Sequence, residues 1–353
     1  MSPTTGTRMN ALVFNGAGQR AWEDRPRPVL CETGDAIVRI TTSTICGTDL
    51  HILKGDVPSV TPGRILGHEG VGLVEAVGTS VSAFKAGDRV LVSCITACGT
   101  CDFCGRGMRS HCRTGGWILG NTIDGTQAGF VRIPHADTSL YRVPDDADVE
   151  ALVMLSDIFP TAYECGVLNG GIGPGDTVAI VGAGPIGLAA LLTARLFSPL
   201  AIMMIDRDNS RLTVAMRLGA TSAINSGTGN AVDEVLALTH GAGVDVAIEA
   251  VGTPGAFDTC QSIVGAGGRI ANIGVHGAPV SLHLEKLWVR NITLTTRLVD
   301  TVSTSLLMKL VRAGQLQPAP LVTHRFAMSD IMKAYDTFAD APRTSALKVI
   351  LNA

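Results

Sequence analysis

From residue 11 to about residue 150, short runs rich in Val, Ile and Thr recur between Gly, Asp and Pro punctuation. The clearest, Ala36–Thr42, Val71–Val77 and Arg89–Val92, predict strands, and no helical period is sustained in this stretch. The pattern changes at Thr177. Apolar runs at Thr177–Val181, Ala201–Asp206, Ser222–Asn225, Val244–Glu249, Arg269–Gly274 and Ile292–Thr296 predict six further strands. Helical segments at Ile186–Phe197 and Ser210–Leu218 separate the first of them. Such alternation gives a parallel sheet with helices on both faces. Residues 298–353 leave the pattern, with a helix near Val302–Ala313 and a strand at Leu347–Leu351 that can rejoin the first domain. The chain therefore reads as α/β: a β-rich domain over 1–152, a doubly wound domain over 153–297, and a C-terminal segment, 298–353, returning to the first.

Composition narrows the classes. The chain has 353 residues, 46% of them hydrophobic and 17% charged, and 41 glycines. A net charge of -3 leaves no basic footprint for nucleic acid and no polybasic patch for a membrane surface. No apolar run is long enough to span a bilayer. The start, Met1 to Asn10, has no apolar signal core, and a cytoplasmic address is expected. Four of the nine cysteines cluster between Cys98 and Cys112, which suits metal binding better than disulfides at such an address.

The strand Thr177–Val181 runs into Gly182-Ala-Gly184-Pro185-Ile186-Gly187 and then a helix. A GxGxxG carries weight only in this strand–turn–helix setting. Gly182 permits the tight turn, Gly184 lets the backbone approach a pyrophosphate, and Gly187 lets helix and strand pack closely; the helix N-terminus faces the phosphates. Asp206 ends the next strand, nineteen residues after Gly187. A carboxylate there accepts the adenosine ribose hydroxyls and repels a 2′-phosphate, which favours NAD over NADP. Arg207 beside it tempers the preference. The plain alternative is a surface aspartate ending a strand.

Cys98-x-x-Cys101-x-x-Cys104-x7-Cys112 places four thiolates within fifteen residues, in a Gly-rich lobe spanning about residues 94–115. Four sulfurs suit a closed, structural zinc site. Thiolates also hold iron, so iron remains the chemical rival. Cys94 falls outside the spacing; it and the single cysteines Cys31, Cys165 and Cys260 read as packing residues.

Two earlier segments carry metal-ligand types: Cys46-Gly-Thr48-Asp49-Leu-His51 and Gly67-His68-Glu69-Gly70. In their order ahead of the cysteine lobe and GAGPIG, they resemble the zinc-dependent medium-chain alcohol dehydrogenases over nearly the whole chain. The resemblance implies a GroES-like catalytic domain joined to a Rossmann domain, an active site in the cleft, and a catalytic zinc held by Cys46 and His68. The position where many relatives place a third, cysteine ligand falls on Asp157, in Leu155-Ser-Asp157-Ile-Phe-Pro-Thr161, and this is similar to the bacterial secondary-alcohol branch. Glu69 is implied as a fourth or transient ligand. Three protein ligands leave one zinc position for a substrate oxygen, and zinc as a Lewis acid lowers the alcohol's pKa. By the same resemblance Thr48 takes the alcohol proton, which continues by the nicotinamide ribose to His51, and Asp49 orients His68. Ordinary turn chemistry is the alternative for Thr48 and Asp49.

The resemblance further implies that Thr161, four residues after Asp157 and on the same helix face, packs on the nicotinamide. Ile273, Gly274 and Val275 contact the same ring, Lys348 stands near the pyrophosphate, and Trp117 lines the substrate pocket. Simple packing is the alternative for Trp117. Two features depart from the secondary-alcohol branch: its best-known members prefer NADP and carry a small residue at Asp206, and some lack the four-cysteine lobe. The expected function is thus reversible hydride transfer between an alcohol, secondary or medium-chain, and NAD, giving ketone or aldehyde, with one catalytic and one structural zinc per subunit. A polyol or formaldehyde-adduct dehydrogenase of the same fold is the alternative, and a non-catalytic NAD-binding sensor a further one. The expected partner is a small-molecule alcohol, ketone or aldehyde, with no nucleic acid and no membrane. A homo-oligomer is expected, with a tetramer favoured over a dimer and the strand Ile292–Thr296 available for pairing between subunits.

Overall fold

A computed structural model describes residues 8–353. The chain forms two compact units. One holds the residues up to Asp157 together with Asp300–Arg312 and Pro318–Ala353; the other holds Ile158–Val299 and Ala313–Gln317.

The first unit is built on antiparallel strands, apart from the parallel pair Val322–Ala327 and Lys348–Asn352. A seven-stranded sheet runs in the order Val322–Ala327, Lys348–Asn352, Ala36–Thr44, Gly70–Val77, Arg89–Val92 and Leu140–Arg142, with Phe130–Ile133 also paired to Ala36–Thr44. The C-terminal strand rejoins the first unit: Ile350 lies opposite Thr44. A smaller three-stranded sheet joins Gln19–Pro26, Arg8–Gly16 and Arg64–Ile65. The inward side chains, among them Leu12, Val38, Ile40, Val74 and Val90, form one core with Ile331, Tyr335 and Phe338 of the C-terminal helix Ile331–Ala339.

The second unit is a six-stranded parallel sheet. In space the strands run Ser222–Asn225, Ala201–Asp206, Thr177–Val181, Val244–Glu249, Val264–Asn272 and Thr293–Thr296, which is 3-2-1-4-5-6 in chain order. This is the doubly wound order of dinucleotide-binding sheets. Its central strands are near-continuous apolar runs because both faces are covered. The helix Pro185–Ala194 is apolar on every side, and Gly187 to Ala194 are all buried. Gly182 has φ +110, a left-handed conformation that favours glycine, and a Cβ on Gly187 would stand 1.8 Å from the carbonyl oxygen of Gly182.

Four expectations are corrected here. A helix, Gly47–Lys54, lies in the stretch read as helix-free. It is only eight residues long, too short to show a period, and its start is fixed by the Asp49 carboxylate accepting the Cys46 N–H at 2.9 Å. The fifth strand of the parallel sheet begins at Val264 rather than Arg269. Its glycines are not breakers: a Cβ on Gly265 would meet the Ala242 carbonyl at 2.7 Å, so they allow a close backbone approach. Third, Thr161 and Asp157 do not share a helix face. Asp157, at φ -141 and ψ -73, interrupts the helical run between Val153–Ser156 and Ile158–Thr161. Cys31, read as a packing residue, is exposed, whereas Cys94, Cys165 and Cys260 are buried.

The crowding at Gly187 predicts that Gly187→Ala forces the turn apart, at about 1–3 kcal/mol as for other overpacked sites. Thermal denaturation should show a lowered midpoint; an unchanged midpoint would mean the turn relaxes freely.

Candidate metal centre

Neighbouring strands bring the first two donors together. Ser43 lies opposite Gly70 in the sheet, so the chain leaving Ala36–Thr44 at Cys46 meets the chain entering Gly70–Val77 from His68. Gly67 makes the entry turn with φ +94, and a Cβ there would stand 2.6 Å from Gln127 Cγ. Ser43 and Thr126 hydroxyls donate to the Glu69 carbonyl at 2.8 and 2.7 Å, and the Gly70 N–H donates to Ser156 Oγ at 3.2 Å, which anchors the residue before Asp157. Cys46, His68 and Asp157 each present one ligand atom, all within 4.8 Å of one another. His68 Nε2 is 3.1 Å from Asp157 Oδ2, which is 3.5 Å from Cys46 Sγ.

The electrostatics favour positive charge at this point. Burial raises the Cys46 thiol, with the Asp157 charge adding to it. Burial alone would lower His68, yet hydrogen bonds with Asp157 and Cys46 and their negative charges push it well above the usual imidazole range. Three convergent donors of thiolate, imidazole and carboxylate type are the chemistry that binds zinc while leaving a coordination position open. The residues present fit the metal that the fold implies.

Around this centre the other anticipated residues fall as follows. Thr48 Oγ1 lies 3.6 Å from Cys46 Sγ. His51, three residues further along the same helix, has Nδ1 at 2.9 Å from Asp56 Oδ2. Asp49 is fully buried. Its Oδ1 is 4.0 Å from His68 Nδ1, and its Oδ2 accepts from Gln127 Nε2 at 2.9 Å. The Trp117 ring stands edge-on to His68, centroids 6.2 Å apart.

Glu69 is outside the donor trio. Its Oε2 is 2.7 Å from Lys348 Nζ, and both side chains are 1% exposed. Lys348 also donates to the Ile45 carbonyl at 3.3 Å. The Lys348 ammonium is thus committed to a buried carboxylate, a partner that its expected place near a pyrophosphate does not anticipate. Burial would lower Lys348, but the Glu69 charge holds it above the ordinary lysine range.

The four lobe cysteines form a second group of ligand atoms within 4.8 Å of one another. Cys98 Sγ accepts the Cys101 N–H at 3.3 Å, and the Cys98 N–H donates to Cys112 Sγ at 3.1 Å. Backbone hydrogen bonding, first from Thr100, draws the Cys98 thiol down to about 5. Burial pushes the Cys104 thiol the other way, up to about 12, so a bound metal cation is what would make all four sulfurs thiolates together, as a closed four-sulfur site requires.

In the second unit, Gly184 caps the helix and Pro185 opens it, with Ile186 half-buried behind. The two oxygens of Asp206 accept from the Ala183 N–H at 2.6 Å and the Asp208 N–H at 2.9 Å, so the carboxylate is fixed at the glycine turn. Arg207 is exposed. The N–H groups of Ile273 and Gly274 donate to the Glu249 carbonyl at 2.8 and 3.1 Å, and Val275 is exposed. Thr161 closes the short helix Ile158–Thr161.

Sequence reasoning missed Gln127, Tyr335, Asp56 and the pairing of Lys348 with Glu69. Of these only Asp56 is a sequence neighbour of the residue it serves. Lys348 and Glu69 are 279 residues apart, and no spacing rule links them.

Known proteins resemble this chain along most of its length. Residues 32–145 match the model of the alcohol dehydrogenase GroES-like domain, and residues 185–311 that of the zinc-binding dehydrogenases. An alcohol dehydrogenase of Cupriavidus necator is 36% identical over 97% of this chain and 98% of its own length. The apo structure of zinc dependent alcohol dehydrogenase 2 from Streptococcus pneumonia superposes with a TM-score of 0.94 at 51% identity, covering 98% of each chain. An alcohol dehydrogenase from Thermus sp. ATN1 superposes at 0.90 and 36%, over 98% of this chain and 99% of that one. The chain belongs to the zinc-dependent medium-chain alcohol dehydrogenase family.

The pairing of Lys348 with Glu69 predicts that Lys348→Met leaves a buried carboxylate uncompensated, at a cost of about 3–5 kcal/mol. The unfolding midpoint should fall sharply. An unchanged midpoint with a raised KM for NAD would instead return Lys348 to the cofactor.

Proposed function

We propose that this chain catalyses reversible hydride transfer between a small alcohol, secondary or medium-chain, and NAD, giving a ketone or aldehyde. The observation that carries the reading is the convergence of Cys46, His68 and Asp157 on one buried point. These three hold the catalytic zinc, and Cys98, Cys101, Cys104 and Cys112 hold a second, structural one. When bound, the catalytic zinc acts as a Lewis acid on the substrate oxygen and NAD supplies the hydride acceptor.

The chain's own residues do the rest. The Thr48 hydroxyl, beside the Cys46 sulfur, takes the proton that leaves the alcohol. His51, on the same helix face, is the proton's onward acceptor, with Asp56 fixing the ring through Nδ1. Asp49 orients His68, and the edge of Trp117 closes the metal's surroundings on the substrate side. Gly182, Gly184 and Gly187 seat the pyrophosphate at the helix N-terminus with Pro185 and Ile186. Asp206 takes the ribose hydroxyls and disfavours a 2′-phosphate, with Arg207 able to moderate that preference. Thr161, Ile273, Gly274 and Val275 form the nicotinamide contact.

The substrate is uncharged. Lys348 is the cation that the described contacts place at the centre, and Glu69 neutralises it. This argues against a charged adduct, while a polyol keeps the same chemistry. The protein works as a cytoplasmic homo-oligomer, a tetramer rather than a dimer. In support, the sheet ends at Thr293–Thr296, where Leu294 is exposed on an edge strand.

The test is nicotinamide reduction by the purified protein with matched primary and secondary alcohols, each with NAD and with NADP. Faster turnover of secondary alcohols with NAD is expected, and Asp206→Gly should move the NAD/NADP ratio of kcat/KM by roughly tenfold or more toward NADP, since the charge it removes opposes the 2′-phosphate. Preference for primary alcohols would keep the zinc chemistry but overturn the secondary-alcohol assignment, and an unmoved ratio would overturn the role of Asp206.

A further inference from the structure

Asp49 is not an isolated partner of His68. Its Oδ2 accepts a hydrogen bond from Gln127 Nε2 at 2.9 Å, and the other end of that amide, Oε1, accepts from the Tyr335 hydroxyl at 2.8 Å. All three residues are completely buried. Gln127 has its backbone locked as well, accepting from the Leu12 N–H and donating to the Leu66 carbonyl at 2.9 Å each. Tyr335 comes from the C-terminal helix Ile331–Ala339, 208 residues from Gln127, and the Arg20 guanidinium lies 5.1 Å over its ring.

The direction of this chain matters. The Asp49 carboxylate and the Thr44 carbonyl, 3.2 Å from Gln127 Nε2, can only accept, so the amide N–H2 faces them and Oε1 is left to accept from the Tyr335 hydroxyl, which holds the amide in that sense. The amide then occupies Oδ2, shared with the Cys46 N–H, and leaves Oδ1 with no hydrogen-bond partner and turned to His68 Nδ1 at 4.0 Å. A proton held on Nδ1 leaves Nε2, the atom beside Asp157 and Cys46, with a free lone pair. We propose that Gln127 and Tyr335 are positioning residues that fix the Asp49 carboxylate and through it the metal-binding tautomer of His68, so that the C-terminal helix sets the metal affinity of a site it does not touch. The inference rests on the zinc reading of Cys46, His68 and Asp157.

The test follows release of zinc from the holoenzyme to a chromogenic chelator, in wild type, Tyr335→Phe, Gln127→Met and the double variant. Loss of an outer partner of a metal-bound histidine lowers affinity by about 10–100-fold. Catalytic-site zinc should therefore leave about tenfold faster in each single variant, with the lobe zinc unchanged, and the double variant should be no faster than Gln127→Met alone. Cobalt substituted at the catalytic site should show a changed visible spectrum in the same variants. Tyr335→Phe removes one oxygen from a packed ring and decides the matter even if Gln127→Met fails to fold. Release at the wild-type rate, equal acceleration at the lobe, or additive effects in the double variant would overturn the proposal. If Cys46→Ser and wild type release the same zinc, the reading beneath it falls, and the inference with it.

Discussion

The structure turns on one buried electrostatic problem: too many acidic donors converge for the positive charge the chain supplies. Cys46, Asp49, Glu69 and Asp157 crowd the surroundings of His68, and all but Asp157, which keeps slight exposure, are buried. Burial raises Cys46, Asp49 and Glu69 above their ordinary ranges. Lys348 answers one of these charges, Glu69. The Cys46 N–H and the Gln127 amide answer another, Asp49. What is left is Cys46 and Asp157 facing His68 Nε2, and a divalent cation balances that set better than a proton does.

The first unit is arranged to sustain this imbalance. Pairing of Ala36–Thr44 with Gly70–Val77 carries the donor loops to the same end of the sheet. The C-terminal segment then contributes twice: the strand Lys348–Asn352 delivers the ammonium to Glu69, and the helix Ile331–Ala339 delivers the Tyr335 hydroxyl to Gln127. Burying an unpaired charge is costly, so the returning segment is part of the site's electrostatics as well as of its core. The parallel sheet of the second unit solves a separate problem, offering a helix N-terminus and fixed turns to a dinucleotide.

The parts legible in the sequence were those governed by local rules. Thr177–Val181, Ala201–Asp206 and Val244–Glu249 were bounded to the residue, because buried parallel strands are near-continuous apolar runs between turn residues; the edge strand Ser222–Asn225, only partly buried, was bounded by the Ser226-Gly227 turn that follows it. The cysteine spacing and the glycine turn were legible for the same reason: their chemistry is contiguous. The helix Gly47–Lys54 was hidden because two turns carry no period. The strand from Val264 was hidden because glycine serves close approach there as readily as it breaks a strand. The pairing of Lys348 with Glu69 was not legible, because the two are far apart in the chain and only the fold buries them together. Gln127 and Tyr335 carry no motif at all; only tertiary structure reveals them.

The most direct measurement of the central claim is zinc content and turnover of purified wild type and Cys46→Ser side by side. The account predicts two zinc ions per wild-type chain. It predicts one in Cys46→Ser, retained by the four-cysteine lobe, with alcohol oxidation abolished and the fold intact by circular dichroism. Unchanged zinc content with turnover preserved in Cys46→Ser would contradict it.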